Sequence, residues 1–280
     1  MVDATVIELA YRIVDVFSDR PLAGNALCVV VDACPEPLMA GIAREVNLSE
    51  TTFPTVTADG AYRTRIWTPG GELPFAGHPT LGTAWVLGAG RWEQTSVGAT
   101  VTVDVDAGGA RMQQPVPVLT AYEPDEARAA LRLRSSVGTW TGDAAGMRHL
   151  ITVTDEPIDE LTVDLDAVRS VAAGAAATTT AVVRRVDDAH LHVRVFAPGM
   201  GVAEDPGTGS AAGPIATLAH DVLGTATSVT IRQGDEAGRP CRIEVDVDPS
   251  GPYVGGRVAA CAAGRFTLAG VIAPRPAASA

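Results

Sequence analysis

Short runs of alternating or wholly apolar residues, punctuated by Pro, Gly and Asp, dominate the chain. They predict strands at residues 6–17 (paired across a bend), 26–32, 51–57 and 62–67. Residues 101–106 and 243–248 alternate Val or Ile with polar residues, each run followed by a Gly-containing hairpin turn, and 150–154 and 181–185 read as further strands. Helical spacing appears at 37–46, where Leu38, Ile42 and Val46 share a face and Asn47 suits the C-terminal end. It appears again at 124–133, with Asp125 and Glu126 in the first turn, and at 165–173. Two helices, 79–87 and 211–223, are largely apolar, as a buried helix is. The Pro/Gln-rich stretch 113–117 reads as a linker, the Ala/Thr tract 172–181 has no clear period, and the Pro/Ala/Ser tail after residue 273 is expected to fray. Many strands with few helices favour an α+β fold over a parallel nucleotide-binding sheet.

One arrangement occurs twice. Residues 65–78 read R-I-W-T-P-G-G-E-L-P-F-A-G-H, and 194–210 read R-V-F-A-P-G-M-G-V-A-E-D-P-G-T-G-S. Each is a short strand, a Pro/Gly loop with an acid, a Pro-x-x-Gly, then one polar residue (His78 or Ser210) entering an apolar helix. The alternating strand and its hairpin follow in both halves, so the order implies duplication of a unit of about half the chain rather than a short-period solenoid. A glycine turn feeding a helix presents unpaired N–H groups and the positive end of the helix dipole, which suits an anion. Two such corners on related halves predict a cleft that holds one small acid from both sides.

Composition narrows the chemistry. A length of 280 residues with 46% hydrophobic content fits two ordinary globular domains. The net charge of −12 argues against a nucleic-acid partner but not against a small anion bound locally. All 21 basic residues are arginine, so lysine Schiff bases, pyridoxal phosphate aldimines and a Walker A lysine are excluded. The four cysteines form no C-x-x-C pair and no zinc pattern; Cys28 lies in an apolar run as a small buried hydrophobe. With no basic-plus-apolar leader pattern and no long apolar run, a soluble cytoplasmic protein without a membrane partner is expected.

Several residues are candidates for chemistry. Glu50 stands where a helix ends and a Thr/Phe-rich strand begins; it is either a solvated loop side chain or a half-buried carboxyl with a raised pKa, fit for general acid/base work. Asp205, ahead of the second glycine turn, either braces the loop or acts directly. His78, at a helix start, is expected neutral, as a cap or as a hydrogen-bonding group. His190 and His192 lie two apart on a strand and read as surface alternation rather than a metal site; His149 and His220 stand without context.

Val14-Asp15-Val16-Phe17, Gly24-Asn25, Asn47-Leu48-Ser49-Glu50-Thr51, the block from Glu72 to Thr80, and the block from Glu204 to Ala211 together resemble the phenazine-biosynthesis PhzF-like family; Gln233-Gly234 and Gly238-Arg239-Pro240 match a later block. The resemblance spans nearly the whole chain. It implies the diaminopimelate epimerase-like fold: two pseudo-symmetric domains, each a β-barrel-like sheet around a central helix, with the site between them. The domains would be 1–117 plus 266–280, and 118–265. It also implies a homodimer with no metal and no organic cofactor. The family's catalytic glutamate matches Glu50, its Gly-His matches Gly77 and His78, and its Asp and Gly-Ser match Asp205, Gly209 and Ser210. Ala26, after Gly24-Asn25, and Gly213-Pro214 in the second central helix depart from the family pattern. Related racemases use a cysteine in each helix-start loop, where this chain has His78 and Ser210.

The expected activity is a cofactor-independent isomerisation that moves a proton on a small unsaturated or cyclic carboxylic or amino acid in specialised-metabolite, including antibiotic, biosynthesis. The acid would be held at Gly77/His78 and Gly209/Ser210, with Glu50 carrying the proton and Asp205 and His78 orienting substrate. An epimerase using Glu50 and Asp205 as opposed bases and a non-catalytic small-acid binding protein are the alternatives.

Overall fold

The computed structural model describes residues 6–270 apart from Pro124 and Ala145. The tail after residue 273 and the first residue of the helix expected at 124–133 therefore lie outside the described residues.

The strands form one closed ring and one open ring, each around a helix. In the first, Val6–Val16, Asn25–Val30, Glu50–Ala58, Ala61–Thr68, Gly90–Thr95, Thr100–Val105 and Gly109–Gln113 pair in that order, and the long last strand Tyr253–Ala269 closes the circle back onto Val6–Val16. In the second, Val118–Ala121, Gly138–Ala144, Met147–Val153, Thr179–Arg185, His190–Ala197, Ser228–Gln233 and Cys241–Asp246 follow the same pairing logic and reach the start of the same last strand. The parallel joints recur at equivalent places: Asn25–Val30 with Glu50–Ala58 matches Met147–Val153 with Thr179–Arg185, and Ala61–Thr68 with Gly90–Thr95 matches His190–Ala197 with Ser228–Gln233. Parallel neighbours need a crossover between them, and helices supply it in each case.

Among the described residues there are five α-helices: α1 (Glu36–Val46), α2 (Gly77–Leu87), α3 (Glu126–Ala130), α4 (Leu165–Gly174) and α5 (Gly209–Leu218). α2 and α5 carry small and apolar residues on every face, so burial on all sides costs them no unpaired charge. Gly77–Ala84 of α2 and Gly209–Ala216 of α5 are buried without a break. Gly82 lets the first wall close on α2, since a Cβ there would come within 2.7 Å of Leu27 Cδ2 and 2.8 Å of Val16 Cγ2. Leu81 is fully buried in this core, where truncation to Ala costs about 2–5 kcal/mol. One buried polar chain is paired link by link: Tyr62 Oη donates to Gln94 Oε1, Gln94 Nε2 to Thr80 Oγ1, and Thr80 Oγ1 to the Ala76 carbonyl, each at 2.8 Å. α1 is amphipathic and lays Leu38, Met39 and Ile42 on the outside of the first ring against Cys28, Val30 and Phe53. Its end is set by Asn47, in the left-handed conformation (φ 52°), which turns the chain toward Glu50.

Some local expectations change. Residues 6–17 do not fold across a bend; Val6–Val16 is one strand with a bulge at Ile13/Val14, because its two edges face different partners. The helix expected at 124–133 shrinks to α3, which ends as Arg132 turns left-handed (φ 55°) and Leu131 and Leu133 enter the core. The helix expected at 211–223 starts two residues earlier and gives way after Leu218 to a π-helical turn, Ala219–Leu223. The stretch 113–117 joins the two rings, yet Gln114 is buried and donates through Nε2 to the Gly209 carbonyl at 2.8 Å. No helix among the described residues is long and apolar enough to cross a membrane.

Candidate active site

The starts of α2 and α5 meet head to head. A Cβ on Gly77 would lie 2.4 Å from the Ser210 nitrogen, and one on Gly209 would lie 3.0 Å from the His78 nitrogen, so glycine at both corners is a condition of the approach. Neither helix start carries a side-chain cap. Two positive helix ends pressed together favour an anion that takes up their N–H groups.

Glu50, His78, Asp205, Gly77, Gly209 and Ser210, all singled out from the sequence, line one narrow cavity of about 40 Å³ at this junction. It adjoins an open groove of about 680 Å³ walled by the two duplicated loops, 68–73 and 199–203. Glu50 opens its strand beside Leu27, and its side chain is only 13% exposed. Burial is the main force pushing its carboxyl up to about 8; the nearby Asp205 charge adds to this and the Ser49 hydroxyl opposes it. His78 Nε2 lies 3.5 Å from Glu50 Oε2. Burial drives the imidazole down to about 3, against the pull of the Ala26 carbonyl. At neutral pH this is thus a contact between a neutral ring and a largely protonated carboxyl, not an ion pair.

Asp205 is raised as well, by burial first, but Thr208, Asn25 and the Gly207 N–H hold its charged form. Thr208 Oγ1 donates to Oδ2 at 2.6 Å and Asn25 Nδ2 to Oδ1 at 2.8 Å. Of two neighbouring carboxyls that resist ionising together, the one with three donors keeps the charge, so Asp205 is the anion and Glu50 holds the proton. Asp205 thus braces its loop through Thr208 and also lines the cavity.

Sequence reasoning passed over three groups. Asn25 is buried and also reaches His78 Nδ1 at 3.2 Å and the Gly207 carbonyl at 3.0 Å, while accepting from Ser49 Oγ at 3.2 Å. Its signal was the adjacent Gly24, at φ 70°, where a Cβ would meet the Val16 carbonyl oxygen at 2.5 Å. Gln233 grips the same loop, donating to the Asp205 carbonyl at 2.8 Å and accepting from the Thr208 N–H at 3.3 Å. His149, which had no context in sequence, is buried with Nδ1 2.8 Å from Thr179 Oγ1, and Thr179 lines the cavity.

The expectation of surface alternation at His190 and His192 holds only for His190; His192 is fully buried. With Asp159 and Glu236 it makes the one His/acid trio with metal-like spacing among the described residues. Arg232 donates to His192 Nδ1 at 2.9 Å and to Asp159 Oδ1 at 3.1 Å, while His192 Nε2 stands 2.9 Å from Glu236 Oε1. That guanidinium opposes a cation and occupies a ring nitrogen, so the trio is a charge network apart from the cavity.

Two barrel-like sheets, each wound round a central helix, with the helix starts meeting between them, define the diaminopimelate epimerase-like class of α+β proteins. A hydroxyproline epimerase from Agrobacterium vitis shares this fold alone, at TM-score 0.61 and 10% identity over 93% of each chain. The phenazine biosynthesis-like protein family (PhzC-PhzF) matches residues 14–264, and the chain belongs to it. It is 36% identical to the trans-2,3-dihydro-3-hydroxyanthranilate isomerase of Pseudomonas aeruginosa, over 92% of this chain and 99% of that one. A PhzF-family crystal structure from Enterococcus faecalis superposes at TM-score 0.78 with 26% identity, covering 94% of this chain and all of that one. The chain is an isomerase of this family.

Proposed function

We propose that the protein moves a proton, and with it a double bond, within a small cyclic unsaturated carboxylic acid, and that trans-2,3-dihydro-3-hydroxyanthranilate, the compound named for its relatives, is the first candidate substrate. The substrate carboxylate sits at Gly77/His78 and Gly209/Ser210, where two helix starts offer N–H donors. In its carboxylate form Glu50 removes a proton from a ring carbon, the electron pair moves through the conjugated system, and the same carboxyl returns the proton to another carbon. No atom is gained or lost. His78, neutral and held by Asn25, positions Glu50; Asp205 keeps a negative charge nearby that makes Glu50 a stronger base once ionised. Catalysis by one carboxyl of near-neutral pKa needs no cofactor. The homodimer implied by the family resemblance belongs to the same proposal and is read by sedimentation.

The observation that carries this reading is Glu50: nearly buried, shifted to about 8, and facing a cavity with donor-rich corners. An epimerase with opposed bases is less well supported, because Asp205 is fully engaged by donors. The test is turnover of the dihydro acid in deuterated water, followed by NMR. A shifted double bond, deuterium at the receiving carbon to the extent that the Glu50 proton exchanges with solvent before its return, and loss of turnover in Glu50→Gln with ligand binding retained are expected. Undiminished turnover in Glu50→Gln, or inversion at one carbon without a shifted double bond, would overturn it.

A further inference from the structure

We infer that Thr179 is a specificity-determining residue, whose hydroxyl oxygen accepts a hydrogen bond from the amino group of the substrate. The inference rests on the isomerase reading only for the identity of the substrate.

The duplicated architecture locates it. Leu27 pairs with Glu50 and His149 with Thr179 at equivalent parallel joints, while Thr51 faces Trp67 as Thr180 faces Phe196. Thr179 therefore occupies, in the second half, the place that Glu50 holds in the first. Both line the same cavity.

Pro214 settles which way the hydroxyl points. It lies inside α5 and has no N–H for the Ser210 carbonyl four residues earlier. Its ring is accommodated by Gly142, where a Cβ would approach Pro214 Cβ to 2.8 Å; Gly142 is the strand partner of His149. The freed Ser210 carbonyl favours a proton on the buried His149 ring, and with Nδ1 beside Thr179 the ring nitrogen without another partner is Nε2. A proton on Nε2 is the arrangement that serves this carbonyl, and it leaves Nδ1 as an acceptor. Thr179 Oγ1, 2.8 Å away, then donates its only proton to Nδ1 and keeps its lone pairs for the cavity. Burial holds His149 neutral, at about 4, so the arrangement does not switch near neutral pH. The helix starts supply donors for a carboxylate; Thr179 supplies an acceptor suited to an amino group beside it.

The test compares two ligands by calorimetry: 3-hydroxyanthranilate, and 3-hydroxybenzoate, which lacks the amino group. Wild type and Thr179→Ser should prefer the amino compound by about 5-fold, the scale of one hydrogen bond. Thr179→Val should bring the ratio near one while binding 3-hydroxybenzoate as wild type does. A wild-type ratio near one, a ratio unchanged in Thr179→Val, or equal weakening of both ligands in that variant overturns the inference. Turnover of the dihydro acid is measured separately, so failure of the isomerase reading stays distinct from failure of this one. Nitrogen-15 NMR of His149 adds a readout independent of ligand: a proton on Nδ1 instead of Nε2 also overturns it.

Discussion

Asn25 donates to Asp205 across 180 residues of sequence, and this bond, with the contact to the Gly207 carbonyl, ties the two halves together beside the cavity. Asn25→Ala leaves a buried carboxylate one donor short, which costs about 1–3 kcal/mol. Its melting temperature should fall and kcat/KM should drop by more than tenfold; a wild-type melt with wild-type turnover would show that the bond carries neither.

The raised Glu50 pKa sets the pH dependence of activity. Only the ionised form removes a proton, so kcat/KM should rise about tenfold per pH unit below pH 8 and level off above it. Asp205→Asn removes a charge that opposes ionisation and should move the rising limb to lower pH, whatever it does to the plateau. A pH–rate profile of both proteins decides this.

Stability should vary with pH for the same reason, in the opposite sense from an ordinary salt-bridged acid. Folding raises the Glu50 pKa from 4.5 to about 8, so the folded state binds the proton more tightly. Its contribution is fully present below pH 4.5 and is lost as pH rises through 8. Glu50→Gln, permanently neutral, should melt close to wild type at pH 5 and above it at pH 9. Parallel melting curves at the two pH values would disprove the shift.

Glycine at the helix junction is open to a direct test. Gly77→Ala places a Cβ 2.4 Å from a backbone nitrogen, an obstacle that cannot rotate away, whereas Gly209→Ala meets its nearest backbone atom at 3.0 Å. Gly77→Ala should lose more stability and more activity than Gly209→Ala. Equal effects would mean that the corners do not need to touch.

Elements with one dominant local cause were legible in sequence. α2 and α5 announced themselves by having no polar face, and Asn47 marked the end of α1. Glu50, His78, Asp205 and Ser210 stood out because they sit in short blocks with their own turn chemistry. What stayed hidden depends on register between distant strands. Thr179 meets His149 through a parallel pairing 30 residues apart, and a lone threonine in an Ala/Thr tract carries no local mark. His192 had a strand's alternation but not its burial, because the 154–164 segment and the turn at Glu236 cover what a bare strand would expose. α3 fell short because the core captures Leu131 and Leu133 where helix propensity alone would have continued.

The last strand has a bearing on how the molecule is made. Val6 pairs with Ala269 and Val16 with Val258, so the first ring has no wall there until residues 253–269 have been made. During synthesis Val6–Val16 leaves the ribosome with one edge unpaired and must wait for residues 253–269, a long exposure for a strand edge. Truncating the C-terminal strand should therefore damage the N-terminal half first.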